Sequence, residues 1–154
     1  MHVASPFFFG NSYEELVTPA VEGTLSIMRA CKANNVRRCV ITSSIASVIY
    51  PLEKPAGLIS EAIWSSPENP KMAMYPKSKT LAEKAAWDFH AELPEAERFE
   101  LVTVLPSFIL GPALRTEPGV SIDFCKKLLN GETTEVNYNC FPVVDVRDLA
   151  EAHV

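Results

Sequence analysis

The chain has 154 residues, a formal net charge of −5 and 47% hydrophobic residues, a profile of one globular domain able to bury a core without metals or disulfides. An acidic balance with no basic stripe excludes the electrostatic footprint of a nucleic-acid or anionic-membrane binder. The four cysteines, Cys31, Cys39, Cys125 and Cys140, form no C-x-x-C pair, which suits reduced, mostly buried thiols in a cytoplasmic protein.

The opening stretch "MHVASPFFF" reads like the end of a buried strand. Its apolar run Phe7, Phe8 and Phe9 has no Lys or Arg before it and is broken by Asn11, Glu14 and Glu15, so it is neither a signal peptide nor a membrane span. Ser12 with Glu15 three positions on is a capping-box pattern. A helical periodicity follows through Leu16, Ala20, Val21, Leu25 and Met28, with a kink or restart expected at Pro19 and a stop at Asn34-Asn35. Next, "VRRCVITSS" (Val36 to Ser44) predicts a short buried strand ending at Ser43-Ser44. Prolines 51, 55, 67 and 70 mark Ile49 to Pro70 as a long irregular loop, a kind of segment that tends to be functional or disordered.

Lys71 to Leu93 is rich in Ala, Lys, Leu and Glu and predicts a helix, with Pro76 in its first turn, where a missing N–H does no harm. "LVTVLPSFILGP" (Leu101 to Pro112) predicts a second buried strand that runs into a loop at Pro106. A last helix is expected over Ile122 to Leu129 with Gly131 beyond its end, then a strand over Phe141 to Val144 and a helix from about Arg147. This order is the βαβ rhythm of an α/β domain with a parallel sheet, in which ligands bind beyond the carboxyl ends of the strands.

Two of those ends carry polar or kinked residues, Thr42-Ser43-Ser44 and Pro106-Ser107, and the helix between them begins near Tyr75. Tyr75 and Lys79 are four apart, so on a helix their heads converge on one face. An ammonium about 4 Å from a phenol, at an effective dielectric near 20, favours the phenolate by about 4 kcal/mol, or about three pKa units. Such a pair can exchange protons near neutrality. Ser44, at the end of the preceding strand, brings a third group to the same place; taken singly, a serine there is also a common turn former and a Tyr-Lys pair a common solvated face.

The motifs "HVASP", "PAVEGT", "VITSSIASV", "SEAIW", "YPKSKTLAEKAAW", "VLPSFILGP" and "VDVRDLAEAHV", in this order, resemble the extended short-chain dehydrogenases/reductases of the NAD-dependent epimerase/dehydratase superfamily, within them the dihydroflavonol 4-reductase-like and cinnamoyl-CoA reductase-like branch. That resemblance implies a Rossmann-like parallel sheet. It also implies a Ser-Tyr-Lys site: Ser44 hydrogen-bonding a substrate carbonyl, Tyr75 giving it a proton, and Lys79 lowering the Tyr75 pKa and holding the nicotinamide ribose. Ala4 and Ser5 would lie along the adenosine half of the cofactor, and Thr42, Ser43 and Pro106 along the nicotinamide half, the cofactor being NADP or, alternatively, NAD. No metal is implied.

In this family "HVASP" ends the fourth strand, and no G-x-x-G-x-x-G turn occurs in the chain. Residues 1–154 are therefore expected to be the second half of a dinucleotide-binding domain, without the glycine-rich half and most of the substrate domain. The expected reaction is reversible reduction of a small ketone or aldehyde. A nucleotide-sugar epimerase or dehydratase, a hydroxysteroid dehydrogenase, or an inactive fragment without cofactor binding are the alternatives. Cinnamoyl-CoA reductases carry "NWYCYGK" around the tyrosine where this chain has "MAMYPKSK", and flavonoid reductases carry an asparagine shortly after the serine where this chain has none before Ile49. Neither substrate is expected.

Overall fold

The computed structural model describes residues 1–7, 12–53, 57–114, 119–132 and 141–154. Phe8, Phe9, Asn11, Pro55 and Cys140, singled out in the sequence, lie outside the described residues. The chain divides into two compact units, Met1–Leu105 and Pro106–Val154.

In the first unit the capping box forms as the sequence predicts. The Ser12 side chain accepts from Glu15 N, and Glu15 reaches back to Ser12 N. It starts α1 (Tyr13–Ala33), which passes through Pro19 as one helix rather than restarting. Pro19 is on the exposed side, so the backbone carbonyl it leaves without a donor can turn to water. Asn34 caps the end, and Asn35, at φ 50°, leaves the helix in the left-handed region that asparagine tolerates.

Strand β1 (Arg38–Thr42) pairs in parallel with β2 (Glu100–Val104), Cys39 opposite Leu101 and Thr42 opposite Val104. On its other edge β1 pairs with His2, which donates to the Val40 carbonyl at 2.7 Å and accepts from Thr42 N at 2.9 Å. Between the strands runs α2 (Met74–Glu92). It begins three residues later than the composition suggests because Asn69 holds Lys71 and Met72 in a turn of its own. Both helices pack on the face of β1 that presents Cys39 and Ile41. Met28, Ala86, Leu93 and Phe99 close the core there.

A short 3₁₀ turn (Ile45–Ser47) follows β1. The long loop after it has no strand or helix among its described residues, yet it is fastened. Ser65 donates its hydroxyl to the Ala46 carbonyl at 2.7 Å and its N–H to the Ser47 carbonyl at 2.7 Å, and accepts from Tyr50 N at 2.8 Å.

The second unit corrects one expectation. The run Leu101 to Pro112 is two strands, because Pro106 has no N–H to donate to a ladder. Beyond it, β3 (Phe108–Leu110) pairs in parallel with β4 (Val143–Asp145) in a sheet of its own. Helix α3 (Val120–Leu129) lays Phe124 against Phe108 and Phe141, and Asp145 caps α4 (Val146–Ala152) by accepting from Arg147 N at 2.8 Å. Gly111 turns at φ +135°, and a Cβ there would come within 2.8 Å of the Val146 side chain.

Two substitutions test these local devices by denaturant unfolding. Ser12→Ala is expected to lower stability by about 1 kcal/mol through loss of the cap. Gly111→Ala is expected to cost about 1–3 kcal/mol through backbone strain and the clash.

Candidate active site

The site is built where β1 ends. Ser44 takes an extended conformation after the strand and caps the 3₁₀ turn, its Oγ accepting from Ala46 N at 3.2 Å; it is buried. From the other side comes the start of α2. Tyr75 is its second residue, half-buried, with its ring tilted against Phe7 at 4.6 Å between centroids.

Burial pushes the Tyr75 phenol above its ordinary value of 10, and a hydrogen bond with Ser44 works the opposite way. The structure thus brings Ser44 and Tyr75 together. It does not show the charge effect expected from Lys79. One turn further along α2, Lys79 is 8% exposed and donates from Nζ to the Thr42 carbonyl at 3.1 Å. Burial lowers its pKa from the ordinary value, and the charge of Glu83 partly restores it. Lys79 is therefore directed at the end of the strand, and desolvation governs the phenol.

Thr42 is half-buried and Ser43 buried, at the same strand end. The Ser43 hydroxyl donates to Glu83 and lies 3.0 Å from the Ser47 hydroxyl. Ala4 is exposed, while Ser5 has its Oγ enclosed without a hydrogen-bond partner among the described residues. Both line a small cavity with His2, Thr24, Thr42 and Lys79. Pro106 is the first residue of the second unit and is half-buried in the turn between β2 and β3.

Two participants were not read from the sequence. Glu83 is four residues beyond Lys79, so extending the i, i+4 count once more would have found it. His2 carries no such signal, because its place depends on pairing with β1; burial first, then the charge of Lys79, hold its imidazole below the ordinary 6.5. Among the described residues no cluster of His, Cys, Asp or Glu could hold a metal, and no helix is long and apolar enough to cross a membrane.

A parallel sheet with helices on the β1–β2 face and a polar carboxyl edge is of the Rossmann-like class, and its solved neighbours include reductases. Yeast methylglyoxal/isovaleraldehyde reductase complexed with NADPH superposes with a TM-score of 0.83 at 31% identity, covering 99% of this chain and 50% of that one. Vestitone reductase from alfalfa gives 0.76 at 31% identity, over 99% of this chain and 47% of the other. The chain belongs to the 3-beta hydroxysteroid dehydrogenase/isomerase family, which matches residues 1–154 throughout. Tetraketide alpha-pyrone reductase 1 of Arabidopsis thaliana is 39% identical over 160 residues, 99% of this chain and 48% of the relative. The family resemblance carried by the sequence motifs is borne out, and the chain spans about half the length of the relatives it matches.

The raised phenol pKa has a consequence with a definite sign. A group whose folded value lies above its unfolded value contributes stability that is complete below about pH 10 and is lost as pH rises through the folded value. Without cofactor, Tyr75 is therefore expected to ionise above 10, measured as the near-ultraviolet phenolate absorbance lost in Tyr75→Phe. Ionisation below 10 would contradict the burial seen here.

Proposed function

We propose that the chain carries the catalytic centre of an NADPH-dependent reductase that interconverts a small ketone or aldehyde and its alcohol, with NAD as the alternative cofactor. The observation that carries this reading is the meeting of the Ser44 hydroxyl and the Tyr75 phenol at the end of a parallel strand, with the Lys79 ammonium buried one turn behind. Named reductases among the relatives, and NADPH in the yeast neighbour, support it.

The residues present fit such a cofactor. The enclosed Ser5 Oγ lacks a partner among the described residues. Lys79 gives one of its three N–H donors to the Thr42 carbonyl, and the others suit ribose hydroxyls. Lys79, Ser5, Thr42 and Ser43 would hold the dinucleotide, with Ala4 shaping its path. When bound, NADPH supplies the hydride.

The chain's own part is positioning and proton transfer. Ser44 offers its hydroxyl to the substrate carbonyl oxygen and orients it beside Tyr75. Tyr75 gives its proton to that oxygen as negative charge develops there. A phenol held above its ordinary pKa is protonated at neutral pH, the form that reduction requires. In the direction of alcohol oxidation, Tyr75 accepts the proton. The free thiols Cys31, Cys39 and Cys125 fit a cytoplasmic setting.

In the full-length protein, Tyr75→Phe is expected to lower kcat for carbonyl reduction by about a hundredfold or more. NADPH affinity, followed by fluorescence titration, should stay nearly unchanged, since the substitution removes only the phenolic proton. A variant that keeps more than about a tenth of the rate would remove Tyr75 from the role of acid.

A further inference from the structure

Tyr75, Lys79 and Glu83 recur every four residues along α2 and so rise along one face of it. Glu83 is 5% exposed. A carboxylate at that depth is costly unless hydrogen bonds and opposite charge compensate it. The Ser43 hydroxyl donates to it, which leaves Ser47 as the donor in the Ser47–Ser43 contact at 3.0 Å. The opposite charge is Lys79, on which Glu83 acts through space, with no direct ion pair between them among the described residues.

The other groups around Lys79 do not replace that charge. From β1 comes the Thr42 carbonyl, and from α1 the Thr24 hydroxyl, 3.3 Å from His2 Nε2. From the amino-terminal segment comes His2, neutral at neutral pH because burial and Lys79 lower its proton affinity. Tyr75, on the same helix, is neutral as well.

We propose that Glu83 is a positioning residue: its charge holds the Lys79 ammonium at the carboxyl end of β1, and its hydrogen bond from Ser43 pins the turn that presents Ser44. One carboxylate thereby sets two of the three groups of the site. This assignment rests on the reductase function proposed for Ser44, Tyr75 and Lys79.

The experiment uses the full-length protein, with kcat and KM for carbonyl reduction by NADPH measured against pH, and melting temperature as a control. Glu83→Gln keeps the shape and removes the charge, so the Lys79 ammonium loses its proton more readily. The alkaline limb of kcat/KM is expected to move down by about one pH unit or more. At neutral pH kcat should fall about tenfold or more, with a smaller change in KM. Glu83→Asp should lie between Glu83→Gln and the wild type. Ser43→Ala should lower kcat with the limb in place, because only the turn is released. A folded Glu83→Gln with an unmoved limb overturns the proposal. If Glu83→Gln fails to fold, Glu83→Asp decides: a shifted limb supports the assignment and a wild-type profile overturns it. A wild-type protein that reduces no carbonyl with NADPH overturns the reductase reading itself, and an active Tyr75→Phe removes Tyr75 from the role of acid, whereas an inactive Tyr75→Phe beside an unmoved Glu83→Gln limb overturns the Glu83 assignment alone.

Discussion

A buried ammonium must find backbone oxygens and opposite charge to replace its lost water, and for Lys79 both lie where β1 ends. Its bond to the Thr42 carbonyl ties the second turn of α2 to the last residue of the strand. With that tie made, Tyr75, one turn earlier, is carried to Ser44, and Glu83, one turn later, to Ser43.

Around this tie the first unit buries a cluster of hydroxyls beside its apolar core. Ser43, Ser44, Ser47, Ser65, Ser78 and Thr80 are all buried, and each hydroxyl has a partner. Ser78 donates to the Tyr75 carbonyl at 2.7 Å and Thr80 to the Pro76 carbonyl at 2.9 Å, which steadies the first turns of a helix that has no side-chain cap of its own. Ser65 fastens the loop to the 3₁₀ turn that Ser44 begins. Hydroxyls serve well here because each can give and accept one bond in a small volume, so a buried turn keeps its backbone satisfied. The irregular segment after β1 is thus part of the frame that holds Ser44.

Membership in the 3-beta hydroxysteroid dehydrogenase/isomerase family and likeness to reductases of known structure agree with this arrangement. Chemistry of this kind asks little covalent work of the protein. The reduction proposed for this chain would ask that a proton donor, a hydrogen-bond donor and a cation be held still beside a carbonyl. The apolar cluster of Met28, Cys39, Ile41, Ala86, Leu93 and Phe99 serves that end by locking both helices against β1.

Local chemistry was legible in the sequence wherever it is set by neighbours along the chain. The Ser12–Glu15 cap, the stop at Asn34-Asn35, the helix through Lys79 and a strand within Val36 to Ser44 follow from propensity, spacing and hydrophobic pattern, though the strand stops at Thr42, two residues before the expected end, and the ordered motifs carried the family. Other features depend on what lies across space. Pro106 divides one apolar run between two sheets, since each half finds a different partner strand. The Tyr75–Lys79 spacing implied a lowered phenol pKa, but burial raises it and the ammonium is drawn toward Thr42. Sequence by itself determined which groups share a helix face and a strand end, because those periodicities are covalent geometry. Only the tertiary structure decided how deeply each group is buried and which charge answers it, because desolvation and Coulomb attraction depend on neighbours distant in the chain.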